Sequence, residues 1–281
     1  MYADLFRQLT KVILAGRRVS RFTRMTAGKF IATLVVPLAM LSGAQGQVAD
    51  AEDRSPRTYS TSFRADESPV SEDGLWINGH AVGLDWKDVS TKSGLAFGAD
   101  SSGDPHYDDP TAIVSGVWGP DQTVQAKVHT RNQNSDHVYE EVEIRLRTTI
   151  APHRNSGYEI NFRCTHDGSQ YVEIVRWNGR LGDFTYLRQV EGGPGLHDGD
   201  VVRASMVGSV ITAFINGTQV AQATDTTFTQ GNPGMGFYLD GKAGLNADYG
   251  FTFFSASDGA IPWSPSNLRI TSALGFPFPP N

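Results

Sequence analysis

The chain has 281 residues, with 24 Lys and Arg against 30 Asp and Glu, a formal charge of −6, 30 glycines, 14 prolines and one cysteine. This composition excludes a coiled coil and a disordered chain, and a lone cysteine excludes both a disulfide framework and a multi-cysteine metal site. The charge is uneven: residues 1–46 hold seven basic residues and one acid, Asp4, so the remainder carries −12. An acidic body of this kind excludes a nucleic-acid binder, which needs basic charge to displace phosphate counterions.

In chain order, the first element is the apolar run Phe30–Leu41, FIATLVVPLAML. It is shorter than the roughly 20 residues of a membrane span. Basic residues precede it and the small residues Ser42-Gly43-Ala44-Gln45-Gly46 follow it. The pattern predicts a signal-peptide helix within residues 1–46, cut near Gly46, with Met25 as an alternative start. The competing reading is an uncleaved anchor. A cleaved signal predicts a secreted or periplasmic protein with no membrane contact. Residues 47–58 read as a flexible leader, 59–274 as one β-domain, and 275–281, GFPFPPN, as a Pro-rich tail that cannot form a central strand.

Within the body, turn signals recur every 8–12 residues and helical periodicity is absent, which predicts consecutive antiparallel strands. Tyr139–Thr148 alternates Val142, Ile144 and Leu146 with Glu141, Glu143, Arg145 and Arg147. Tyr158–Cys164 puts Tyr158, Ile160, Phe162 and Cys164 on one face and Glu159, Asn161 and Arg163 on the other. Cys164 therefore reads as a buried small hydrophobe. Asp167-Gly168 turns the chain into a strand at Tyr171–Trp177, and Asn178-Gly179 turns it towards Phe184–Val190. Strands follow at Val201–Val207, Val210–Ile215 and, after the tight turn Asn216-Gly217, Thr218–Ala223. Later strands are expected at 235–240, 249–256 and 267–272. Alternation of this kind gives each strand one dry and one wet face, and many such strands make a sandwich or a barrel.

The segment Asp198–Gly241 narrows that choice. Its residues Gly199-Asp200-Val201, Gly208, Asn216-Gly217, Asp225, Phe228, Gly231 and Gly234-Met235-Gly236-Phe237 resemble the concanavalin A-like lectin/glucanase superfamily, in particular its laminin-G-like members. The resemblance implies an all-β, two-sheet antiparallel jelly-roll sandwich whose concave face or rim loops handle glycans. Lectins, glycoside hydrolases, polysaccharide lyases and adhesion modules share this fold, so it leaves function open.

Chemistry concentrates on the polar face of three successive strands. They carry Glu141, Glu143, Arg145 and Arg147; then Glu159, Asn161 and Arg163; then Glu173, with Trp177 at the end. If the strands are neighbours, these side chains share one surface. One reading is a polysaccharide groove, with Glu141 and Glu143 as acid, base or nucleophile and the other seven residues binding substrate. Arginines would pair with a uronate carboxylate, and Trp177, Trp86, Trp118 or Trp263 would stack on a sugar. The other reading is a solvated salt-bridge lattice.

Retaining glucanases of the superfamily place three acids on one strand. Glu141 and Glu143 match two of them, and Arg145 stands at the third position. Alginate-lyase-like members use arginine, glutamine, histidine and tyrosine. Tyr139, His129, His137 and His153 are near in sequence, but no Gln-x-His strand appears, and the histidines read as loop residues. No cofactor is expected, but the acidic loops around Asp104, Asp108 and Asp109, and Asp240 near the C-terminal strands, offer ligands for a structural calcium. The expectations are a secreted polysaccharide-binding protein that cleaves its ligand, or a non-catalytic glycan-binding module on the same residues.

Overall fold

The computed structural model describes residues 55–98, 109–131, 139–164, 170–193, 195–240 and 248–259. All belong to the second of two units, Met1–Ala51 and Glu52–Asn281. The signal peptide with Met25, most of the leader, Asp167-Gly168, the expected strand at 267–272 and the Pro-rich tail lie outside the described residues. So do Asp104, Asp108, His137 and Trp263, and the side chains of Tyr139 and Asp240.

Fifteen strands stand among the described residues: β1 Thr58–Thr61, β2 Trp76–Asn78, β3 Val89–Lys92, β4 Leu95–Gly98, β5 Thr111–Val114, β6 Gln122–Thr130, β7 Tyr139–Ala151, β8 Arg154–Arg163, β9 Tyr171–Gly179, β10 Phe184–Glu191, β11 Val201–Val207, β12 Val210–Ile215, β13 Thr218–Thr224, β14 Asn232–Asp240 and β15 Tyr249–Ser257. Every pairing is antiparallel. One sheet runs β13-β12-β11-β6-β15-β4-β3, with β1 also on β15; the other runs β10-β9-β8-β7-β14-β5-β2.

Alternation fixes which faces meet. Val142, Ile144 and Leu146 of β7, Ile160 and Phe162 of β8 and Ile174 of β9 are fully buried. They pack in one core with Val124 and Ala126 of β6, Val202 and Met206 of β11, Ile211 of β12 and Phe254 of β15 from the eight-stranded sheet. The result is the expected two-sheet sandwich. Cys164 is a free, buried thiol in the same core. Asn216 and Gly217 turn at φ 49° and 81°, a conformation that Asn and Gly adopt at least cost, and close the β12–β13 hairpin. The β9–β10 turn comes later than Asn178-Gly179. Both residues stay in β9, and Arg180–Asp183 make the reversal, with Gly182 at φ 78°.

Asp225 and Phe228, two residues of the resemblance, clamp the loop after β13. The Tyr158 hydroxyl donates to Asp225 Oδ1 at 2.7 Å and accepts from the Phe228 amide at 3.0 Å. Arg176 Nη1 adds an ion pair to Asp225 at 2.6 Å.

One expected site residue leaves the polar face. The β7–β8 register shifts between Leu146 and Thr149, and Arg147 sits in the bulge at φ 46°. Alternation ends there, so the side chain turns away from Arg145. Its guanidinium donates to the carbonyls of Pro120 at 2.6 Å, Phe228 at 3.0 Å and Gly208 at 2.8 Å. Arg147 is thus a staple across three loops and does not face the proposed substrate surface. Gly157 and Gly231 flank the bulge because a Cβ on either would come within 2.7 Å of the backbone of Arg147 or Thr148. Replacing Arg147 with Ala strips three carbonyls of a charged donor, each bond being worth about 1.5–3 kcal/mol. The urea midpoint of Arg147→Ala is therefore expected to fall sharply.

Candidate functional site

The remaining polar residues do share one surface, the outer face of the seven-stranded sheet. Register sets them in rows. Glu141 faces Arg163, Glu143 faces Asn161, and Arg145 faces Glu159 across β7–β8. Asn161 faces Glu173 across β8–β9. The surface is not wet. Glu143 is 1% exposed, Arg145 0%, and Glu141, Glu159, Asn161, Arg163 and Glu173 no more than 6%. A solvated lattice is therefore excluded.

Arg145 organises the layer. Its guanidinium donates to Glu143 on its own strand, to Glu159 on β8 and, at 3.0 Å, to Thr111 Oγ1 on β5. To reach Thr111 it crosses β14 over Gly236. A Cβ there would lie 2.3 Å from Glu143 Oε2 and 2.7 Å from Arg145 Nη2, so only glycine leaves the passage open. Trp177 Nε1 donates to Glu159 Oε2 at 2.6 Å, the Tyr171 hydroxyl donates to Glu141, and Gln189 Nε2 donates to Glu173 Oε1 at 2.8 Å.

Trp177 is not an open platform. It is 3% exposed and packs edge-on against Trp86, ring centres 4.5 Å apart. Trp86 comes from the connection between β2 and β3. It lies over the layer, with Arg145 Cζ 5.2 Å from its ring, and packs with Leu84, Val175 and Trp177. Its connection is tied down by bonds from Gly79 N–H to Thr111 O and from His153 N–H to Gly83 O. Trp118 is also buried, its indole bonded to the carbonyls of Val114 and Ser115.

The aromatic surface available to solvent was missed in the sequence. Phe184 and Tyr186 stand opposite Trp177 and Val175 on β10, so they share the outer face, and Tyr186 is 40% exposed. Ring centres continue from Trp177 to Phe184 at 5.1 Å and on to Tyr186 at 5.2 Å. The alternation Phe184-x-Tyr186 on the strand beside Trp177 is the signal that points to them.

Of the acidic loop candidates, Asp109 belongs to this layer. It is 4% exposed, and its charge acts on Glu141, Glu143 and Arg145. Among the described residues no group of three His, Cys, Asp or Glu side chains is placed to hold a metal ion. Two histidines expected in loops pair with aspartates: His129, on strand β6, contacts Asp198 at 2.6 Å, and His153, in the β7–β8 turn, contacts Asp85 at 2.6 Å.

Five carboxyls, Asp109, Glu141, Glu143, Glu159 and Glu173, thus surround two guanidiniums, Arg145 and Arg163. Burial, with the neighbouring carboxylates, drives the Glu141 and Glu143 carboxyls well above the ordinary range. The Tyr171 hydroxyl opposes this at Glu141, and Arg145 opposes it at Glu143. Arg145 itself is held more firmly protonated by Glu159 and Glu143, against the opposing effect of its own burial.

No protein-family model matches the chain, and no curated protein matches it. Solved structures resemble it in architecture. A carbohydrate-binding module, CBM66 from Bacillus subtilis, is 16% identical over 65% of this chain and 94% of its own, with a TM-score of 0.44. A Bacillus licheniformis beta-glucanase is 12% identical over 71% and 97%, TM-score 0.47. The carbohydrate recognition domain of Emp46p is 10% identical over 66% and 90%, TM-score 0.47. The sandwich itself stands on the strand pairings above.

A pH dependence of stability follows from Glu140, which lies out of phase with the layer and is 1% exposed. Burial and the charge of Asp248 push its carboxyl from 4.5 up to about 7. The folded state then binds the proton more tightly than the unfolded chain, so this contribution is complete below about 4.5 and is lost as pH rises to about 7. Unfolding free energies of wild type and Glu140→Gln, measured in urea across that window, are expected to differ by a one-proton slope, with the wild type losing stability as pH rises. Parallel curves refute the assignment.

Proposed function

We propose that this is a secreted carbohydrate-active protein that binds a polysaccharide along the outer face of the seven-stranded sheet and cleaves it by hydrolysis. One observation carries the reading: Glu141 and Glu143 lie two apart on one face of β7, buried, and both with raised proton affinity. Alternate residues on a strand are about 7 Å apart at the backbone, a spacing that suits a two-carboxylate mechanism. A carboxyl that holds its proton more tightly than usual serves as the acid that protonates a leaving glycosidic oxygen. Its partner, once ionised, acts as base or nucleophile. Asn161, Glu159 and Glu173 lie beside the pair and would bind sugar hydroxyls. Tyr186 and Phe184 offer the stacking surface that Trp177, closed under Trp86, does not. A polymer reaches the acids only when the Trp86 connection moves off the sheet.

Hydrolysis is favoured over elimination because two of the three expected arginines, Arg145 and Arg147, are committed. Arg145 is held between Glu143 and Glu159, and Arg147 bonds loop carbonyls. The candidate calcium ligands Asp108, Asp109 and Asp240 enter no step of this reading.

A binding-only module is the second reading. It is supported by Arg145, which stands where a third acid would be expected and closes the layer with ion pairs on both sides.

The test is incubation with neutral and uronate polysaccharides, following reducing ends and the ultraviolet absorbance of unsaturated uronates. New reducing ends without absorbance are expected. Glu143→Gln is expected to lower the rate by about 10²-fold or more, in line with loss of a general acid or base, and Tyr186→Ala to weaken binding. Full activity in Glu143→Gln refutes the site, absorbance with reducing ends indicates a lyase, and binding without either signal leaves the module reading.

A further inference from the structure

The charge and hydrogen-bond balance of the acid layer points to a substrate class. We infer that the polysaccharide bound here carries free amino groups, as a polymer of glucosamine does, and that its ammonium sits against Glu143 and Asn161. This rests on the reading above, that the layer is a glycan site.

Two independent observations carry it. The first is charge. Facing Glu143 are Glu141 on its own strand, Glu159 on β8, Asp109 before β5 and the cation Arg145. Across the whole layer five carboxyls meet two guanidiniums, and all seven groups are at least nine-tenths buried. With every group ionised the layer would be anionic in a medium of low dielectric, which is unfavourable. Protons relieve this in the free protein. A fixed positive charge on a ligand relieves it equally well, whereas a uronate or sulfate aggravates it.

The second observation is the set of polar atoms left over. Glu143 Oε1 and Asn161 Oδ1 are buried acceptors without a hydrogen-bond partner. They belong to residues directly opposite each other across β7 and β8. An ammonium has three donors and no acceptor, and so suits two adjacent acceptors beside carboxylates. Two donors in the same layer, Arg145 Nε and Trp86 Nε1, are also without a partner. The hydroxyl and ring oxygens of the same sugar can accept from them. An amino sugar therefore matches both kinds of leftover group, and an unsubstituted glucose unit lacks the charge.

Binding should also displace protons. When the ammonium takes its place beside Glu143, the carboxyl ionises and its proton leaves to solvent, so charge in the layer is conserved.

The experiment is isothermal titration calorimetry of the protein near pH 6 with hexamers of glucosamine, glucose and a uronic acid. Each is run in two buffers of different ionisation enthalpy, so that released protons are counted. The glucosamine hexamer is expected to bind at least about tenfold more tightly than the glucose hexamer, with net proton release, and the uronate hexamer not to bind. Glu143→Gln should abolish both the preference and the proton release. Asn161→Ala, which leaves every carboxyl in place, should weaken the glucosamine hexamer more than the glucose hexamer and so shrink the preference. Equal binding of the two hexamers without proton release, or preferred binding of the uronate, overturns the amino-sugar assignment while leaving a glycan site. Binding of none of the three overturns the glycan site itself, and the assignment falls with it.

Discussion

Arg145 is the constraint around which the seven-stranded sheet is arranged. A fully buried guanidinium is tolerable only when its donors and its charge are matched. Here matching draws on Glu143 from the same strand, Glu159 from the next, Thr111 from a strand two places away, and the face of Trp86 above. Once the cation is in place, the acids around it have a reason to be buried. Because they outnumber the available cations, some of them must hold protons. The proton affinity of Glu141 and Glu143 is therefore a property of the layer and belongs to neither residue alone.

That layer divides the sheet into two regimes. Towards β14 and β5 it is closed, with a glycine floor and an arginine spanning it. Towards β10 a line of aromatic rings runs outward from the closed Trp177 to a half-exposed tyrosine. A polymer lying along this gradient would meet a stacking surface first and the acids afterwards. The proton affinity of the layer's carboxyls comes first from burial and then from the surrounding negative charge.

Strand alternation and the turn residues between strands made β7 to β13 legible in the sequence to within a few residues. The grouping of the glutamates with Arg145 and Arg163 was legible for the same reason. Three features were not. The dryness of the polar face depends on long-range packing, such as that of Trp86, and a polar alternating face normally signals water. The turning away of Arg147 comes from a bulge, and nothing in Leu146-Arg147-Thr148 announces one; only the distant glycines Gly157 and Gly231, read together, would have. In the sequence Trp177 reads as a ring at a strand end, but β9 continues to Gly179 and the indole lies inside the layer. The short strands before Val114 are held by contacts such as Asn78 with Val70 and Val89, at 2.6 and 3.0 Å, and have no periodicity to read.

Gly236 has a consequence for how this surface can change over time. The space above it is occupied by the paired ends of Arg145 and Glu143, so a side chain at 236 would have to push that ion pair aside while the arginine remains. If the arginine were lost, the glycine would no longer be required, and a side chain there would fill the gap and seal the layer. The two positions, 91 residues apart in the chain, are thus free to vary only as a pair. A descendant that exchanged both would keep the sandwich and give up the arginine-centred acid layer.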